Sequence, residues 1–446
     1  MNDGYGSRGL RGWLPALEDY EAAQVHDVLY RHDTLAALLI LSRSGNGFVR
    51  EAAVRELSGH VGAEALEVLF ERLNDWVPQV RKQAALALES YLVSENARFL
   101  LQALNALLAL AGGRRANHAD ILARVRSALL LAPLRQPMEE VFRASKGKVA
   151  RFLFGVLLEG STTRLGLLEV ALRHPDMTVR QLAVDTCAAL PAKEALPLLD
   201  EAMRTSAASV RVKVLRVLLT LLDDPGDALV KALLDASASM RNLAIWAAPR
   251  WQVDCRQVLS TRLAGPVPAS KHEWLGVIGL ARDLDEPQAD PMLVQALRSR
   301  SLHVRLQALN ALGDRGVAQQ IEALGDPSEK VFKAAVALLR KQPWGLFDGA
   351  LERLMDAQWH QLPESHRGPL LSLKPGWRQL EYLLRRHEQE GSGSNEWLDR
   401  LAGCCACRCT WGDTSTPREL RQALLRQLQA LEEQGALPRG SVDRLR

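Results

Sequence analysis

Hydrophobic and polar positions between residues 176 and 250 repeat one phrase three times. Val179-Arg180-Gln181-Leu182-Ala183 returns as Val210-Arg211-Val212-Lys213-Val214, and again as Met240-Arg241-Asn242-Leu243-Ala244. The arginines stand 31 and 30 residues apart, a period at which each copy is one supersecondary element. After Arg180 the apolar residues Leu182, Ala183, Cys187 and Leu190 follow the 3–4 spacing of a packed helix face. Asp176 and Ser209 precede the apolar runs and are expected to cap the helices through their short side chains. A second apolar segment lies upstream of each copy, over residues 195–203 and 228–234. Helix, turn, helix and turn fill the period and leave no space for a strand. The pattern predicts an all-α chain of stacked helix pairs, an α-solenoid.

Further copies extend the series. Val49-Arg50 and Val80-Arg81 are 31 residues apart, Val304-Arg305 follows Arg241 by 64, and Asp326 opens a last copy with Phe332 in the arginine's place. The step of 64 holds two periods, so a missing copy is expected near Glu273. Between Arg81 and Arg180 the register slips. Val125-Arg126 is the candidate phrase there, at steps of 45 and 54, and long apolar helices are expected over residues 99–111 and 121–132. A first helix is expected over residues 13–30 and a second from Leu35.

Beyond Lys341 the grammar changes: Pro343, Pro363, Pro369 and Pro375 interrupt the helices, while Trp344, Trp359, Trp377, Trp397 and Trp411 cluster. A solenoid must cover its apolar end, so this stretch reads as a Trp-rich cap. Residues 390–394 read as a flexible linker. Leu420, Leu424, Leu428 and Leu431 then stripe an amphipathic helix over 417–434, with Gly435 as its stop and a loose tail from Arg439. The expected organisation is a disordered N-terminus (1–12), the solenoid (13–340, irregular at 98–165), the cap (341–411), then the amphipathic helix and basic tail (412–446).

The phrase Asp75-x5-Arg81-x2-Ala84 resembles a HEAT repeat of the short bacterial kind, and Asp176-x2-Val179-Arg180 and His303-Val304-Arg305-x2-Ala308 resemble it too. The likeness covers roughly residues 36–340 and implies an armadillo-like helical fold. It also implies a hydrogen-bonded ladder between neighbouring repeats. Arg50, Asp75, Arg81, Asp176, Arg180, Arg211, Arg241 and Arg305 would be its structural rungs. Such solenoids carry many unrelated activities, so the motif speaks for fold alone.

Composition narrows the rest. The net charge of +4 over 446 residues, with basic residues interleaved with acids, argues against nucleic acid as the partner. Six cysteines and an N-terminus without an apolar signal core point to a reducing cytoplasm. Apolar runs are too short for a membrane span. Cys187 and Cys255 fall in apolar helical contexts and read as core. Cys404, Cys405, Cys407 and Cys409 could bind a soft metal ion, although adjacent cysteines fit a tetrahedral centre poorly. His272-Glu273 and His387-Glu388 are similar to the iron-binding pairs of HEAT-like hydroxylases but sit in unlike contexts. No phosphate loop, nucleophile elbow or zincin helix is present. No catalytic residue and no cofactor emerges. The sequence therefore favours a non-catalytic scaffold for another protein, with Trp359, Trp377 and Trp397 as candidate partner-binding residues. The alternative is a HEAT-like enzyme or binder: DNA-glycosylase-like on nucleic acid, or bilin-lyase-like.

Overall fold

The computed structural model describes residues 19–161, 163–390, 396–406, 416–443 and 445; the expected disordered N-terminus, Trp13, residues 391–394 of the expected linker, Cys407, Cys409 and Trp411 lie outside them, while Glu390 ends a helix. The described residues are helical, with no strand among them. The chain divides into two compact units, Met1–Pro225 and Gly226–Arg446.

In the N-terminal unit the phrase copies are the second helices of successive pairs. Thr34–Leu41 pairs with Gly47–Leu57, Ala63–Leu73 with Pro78–Leu88, Arg164–Leu172 with Met177–Cys187, and Ala192–Thr205 with Ala208–Leu221. Second helices stack on second helices and first on first: Gly47–Leu57 lies against Pro78–Leu88, and Thr34–Leu41 against Ala63–Leu73. In the C-terminal unit Ala238–Ala247, Lys271–Asp283, Leu302–Leu312 and Glu329–Leu339 form the corresponding row. This double-row connectivity is that of a HEAT-like α-solenoid.

Two side chains of each phrase hold the row together. Val80, Val179, Val210 and Val304, just before the arginine, and Ala84, Ala183, Ala244 and Ala308, three after it, are all fully buried. Four residues apart on one helix, they form one face, and the alanines let neighbouring helices approach closely. Hydrogen bonds repeat at the same period. Tyr91 Oη donates to the Gly62 carbonyl, Lys213 pairs with Asp185, and in the C-terminal unit Gln342 Nε2 donates to Asp314, at separations of 28 or 29 residues.

The structure corrects several expectations. The apolar run at 99–111 breaks at Ala103 into Arg98–Gln102 and Leu104–Leu110. Arg126 belongs to no phrase; it pairs with Glu159 at the surface. The repeat resumes at the helix Gly147–Gly160, which stacks on Met177–Cys187 and carries Arg151, 29 residues before Arg180. Asp176 caps its helix, accepting the Thr178 and Val179 amides, whereas Ser209 lies inside its helix and the capping position falls to Ala207. Cys187 is buried but Cys255, first residue of a helix, is half-exposed.

The missing copy near Glu273 is a helix, Lys271–Asp283, begun by a cap in which Ser270 Oγ accepts the Glu273 amide and donates to the Glu273 carboxylate, which in turn accepts the Ala269 amide. It has no phrase arginine. Instead Gly276 and Gly279 bring its backbone onto the preceding pair. A Cβ on Gly276 would stand 1.9 Å from the Leu234 carbonyl oxygen, and one on Gly279 would stand 2.2 Å from Arg241 Cζ.

The end of the C-terminal unit is the Trp-rich cap. Trp359 and Trp397 lie 4.8 Å apart between ring centroids, with Tyr382 beside both. Their indole nitrogens donate to Glu396 and Glu390, and Arg400 and Arg386 lie over their rings. Lys374 is 2% exposed, its ammonium 4.6 Å above the Trp344 ring and paired with Glu352. The amphipathic helix Arg418–Glu433 docks on this cap through buried Leu424 and Leu428, and Gly435, at φ +76°, follows its end. The tail is not loose. Val442 and Leu445 are buried, and Glu432 accepts the Gly440 and Val442 amides.

Candidate interaction face

The phrase arginine is the fourth residue of its helix in Gly47–Leu57, Pro78–Leu88, Met177–Cys187, Ala208–Leu221, Ala238–Ala247 and Leu302–Leu312. Helical side chains lean toward the N-terminus, so the guanidinium reaches back over the turn that enters the helix. Nη1 of Arg50 donates to the carbonyls of Ser44 and Gly45, six and five residues earlier, at 2.8 and 2.9 Å. Arg81 does the same to Asp75 and Trp76, Arg241 to Asp235 and Ala236, and Arg305 to Ser299 and Arg300. Arg211 reaches the Ser206 carbonyl at 2.7 Å. Each of these five arginines ties its own helix to the turn before it.

The residue six before the arginine has a matching task. The side chains of Ser44, Asp75, His174, Asp235, Ser299 and Asp326 each accept the backbone amide two residues on, closing the turn. Where that residue is aspartate, its other face can receive the arginine of the preceding pair. Arg50 donates Nε and Nη2 to Asp75 at 3.0 and 2.9 Å, and Arg305 grips Asp326 at 2.7 and 2.9 Å. The Arg50–Asp75 pair is buried, with side chains 3% and 1% exposed. Burial pushes the Asp75 carboxyl up, but bonds from Arg50 and the Val77 amide outweigh it and hold it below its ordinary range. The Asp326 bonds raise the already high Arg305 value.

The other site residues depart from this scheme. Asp75 meets Arg50 and not Arg81, which takes only the Asp75 backbone. Asp176 accepts the Gly147 amide at 2.8 Å and lies 3.5 Å from Arg151, which sits one place later in its helix than the phrase arginines. Arg241 finds Asp283 at 2.8 Å, at the far end of the next helix. Arg180 makes no hydrogen bond or ion pair with any described residue, and its Nε is shut off from solvent.

Trp359, Trp377 and Trp397 are at most 3% exposed, so none of them is presented to a partner. Among the described residues the exposed tryptophans are Trp76, 68% exposed, and Trp246, 76% exposed, each at a second helix or the turn before it. Leu86, Met177 and Leu182 are further exposed apolar residues on second helices of the N-terminal unit. The hint in the sequence was a large aromatic directly after the turn aspartate, at Asp75-Trp76. Trp76 also lies over the Arg50 guanidinium at 5.5 Å.

Among the metal candidates, Cys405 is fully buried with its thiol pushed up to about 11 by burial, and Cys404 contacts Gln379. No group of three or more His, Cys, Asp or Glu side chains fit for a metal ion occurs among the described residues. Glu273 is held in its helix cap. No helix is long and apolar enough to cross a membrane among the described residues.

No family model matches the chain, and no curated protein matches it. Solved structures do. The chain is similar to the crystal structure of Kap121p, at 16% identity over 96% of this chain and 51% of that one, with a TM-score of 0.29. It is similar to importin beta crystallised in an ammonium sulfate condition, at 14% identity over 94% and 60%, with a TM-score of 0.26. A structure concerned with the interaction between cadherin and beta-catenin matches at 19% identity over 98% and 90%, with a TM-score of 0.20. The chain thus spans between half and two thirds of the length of the first two. At such scores the likeness adds no argument to what the helix pairing shows by itself.

Proposed function

We propose that the chain is a non-catalytic scaffold that binds another protein through exposed apolar side chains at its second helices and the turns before them. The observation that carries this reading is the exposure of Trp76 in the N-terminal unit and of Trp246 in the C-terminal unit, each at a second helix or the turn before it. Tryptophan concentrates binding energy where one face can still be covered. The arginine series supports the same reading, because Arg50 and Arg241, at 3% and 2% exposure, belong to the framework and are too enclosed to grip phosphates. They and their aspartates serve as structural rungs. The free thiols of Cys187, Cys255 and Cys405 suit a reducing compartment such as the cytoplasm.

The test is affinity purification of the full chain from its native cell with mass spectrometry, beside Trp76→Ala and Trp246→Ala variants. A partner should co-purify with the parent chain and be depleted from at least one variant that keeps the parent's helical content. Identical partner sets for all three proteins would refute the face. A salt-dependent shift of duplex DNA by the purified chain would favour the nucleic-acid alternative.

A further inference from the structure

The repeat supplies its own standard for what an arginine at this position should meet. Arg50 and Arg305 each hold the carboxylate that stands six residues before the next phrase. For Arg180 the next phrase is Val210-Arg211, and the residue six before Arg211 is Thr205. Threonine brings no carboxylate, and Arg180 makes none of the bonds of its equivalents: no turn carbonyl, no acid. The helix that carries it still stacks on Ala208–Leu221 as the other second helices do. Ser206, in the same turn as Thr205, is 6% exposed and its Oγ is buried without a hydrogen-bond partner. Arg180 thus keeps the helix position of Arg50 and Arg305 while lacking both the acid and the turn carbonyls that those two hold.

From this we infer that Arg180 receives a carboxylate from the protein partner, the kind of group that Asp75 and Asp326 bring to Arg50 and Arg305 within the chain. Arg180 is half-buried. Its Nε is covered while its terminal nitrogens are not, so an incoming carboxylate meets the Nη1–Nη2 edge, which suits a two-bond grip. Met177, 47% exposed and one helical turn before Arg180, offers an apolar contact beside the charge. The partner segment is therefore acidic, with an apolar residue next to the glutamate or aspartate that enters. This rests on the scaffold reading only in assigning the carboxylate to a protein; the contact itself is measurable with purified chain.

The experiment measures fluorescence anisotropy of a labelled Leu/Glu-alternating peptide against the full chain, with thermal melts in parallel. Arg180→Gln should melt within about a degree of the parent, since no native bond is lost, yet bind the peptide roughly tenfold more weakly. Thr205→Asp supplies the carboxylate in cis, so it should raise the melting temperature and also abolish peptide binding. Acetate should displace the peptide better than chloride at equal ionic strength. Unchanged peptide affinity in both variants overturns the inference, as does displacement by phosphate but not acetate, which would reassign Arg180 to a phosphorylated ligand. A negative peptide result leaves the scaffold reading to its own test, since the variants there lie at Trp76 and Trp246.

Discussion

Arg50 shows how much one side chain of this fold carries, since it bonds two turn carbonyls and both oxygens of Asp75 with almost no solvent contact. Removing one partner of such a buried pair strands the other. Arg50→Ala is expected to cost about 3–5 kcal/mol in urea unfolding. Arg126→Ala, which breaks a solvent-facing pair with Glu159, should cost no more than about 1 kcal/mol. Equal costs would show that burial is not what separates the two. Asp75 adds a pH signature. Its folded value lies below the ordinary 3.8, so folding favours the ionised form. That contribution is fully present above pH 3.8 and is lost as pH falls through the depressed folded value. Asp75→Asn should be less stable near neutrality and show a shallower loss of stability on acidification; a parallel acid limb in both proteins would contradict the assignment. At this scale the sequence was readable in part. It marked the arginines, but pairing Asp75 with Arg50 across one repeat depends on which turn the side chain leans over.

At the level of helices, glycine has opposite meanings at two positions. Gly276→Ala would drive a methyl group into the Leu234 carbonyl, a backbone atom that cannot step aside. It should destabilise the chain by about 1–3 kcal/mol or more through overpacking. Gly166→Ala, in the helix Arg164–Leu172, meets nothing within 4 Å and should gain up to about 1 kcal/mol from helix propensity. Thermal melts that move in the same direction for both variants would refute the packing account. Helix identities were legible from the periodicity, including the copy near Glu273, because apolar spacing survives when a signature residue is lost. The copy at Arg151 was not legible. An alanine separates its valine from its arginine, moving the arginine to the fifth helical place, so the Val-Arg dipeptide that marks the others is absent. The break at Ala103 had no sequence signal either, since an Ala/Leu run reads as one helix whatever its tertiary partners impose.

Across the whole molecule, the C-terminal residues act as a plug for the apolar end of their unit. Deleting residues 416–446 removes Leu424, Leu428, Leu437 and Val442 from buried positions, at about 1.5–3 kcal/mol for each large side chain. A lower melting temperature with retained partner binding is the expected outcome, and an unchanged melt would mean the helix serves something else. The tryptophan cluster was visible in the sequence, but its direction was not. Only packing decides whether a tryptophan faces a neighbour or the solvent, and here Trp359 and Trp397 turn inward while Trp246 turns out.

The bonds between repeats mostly join residues one period apart, as in Tyr91 to Gly62, Lys213 to Asp185 and Gln342 to Asp314. Mechanically, such a chain is a series of links, each fastened only to the next. Pulled from its ends, it should yield link by link, each rupture releasing roughly 30 residues, or about 100 Å of extended chain. The force at each step would report the local fastening, high at the buried Arg50–Asp75 junction and lower at the Arg180 junction, where the ion pair to break is the partly exposed Lys213–Asp185.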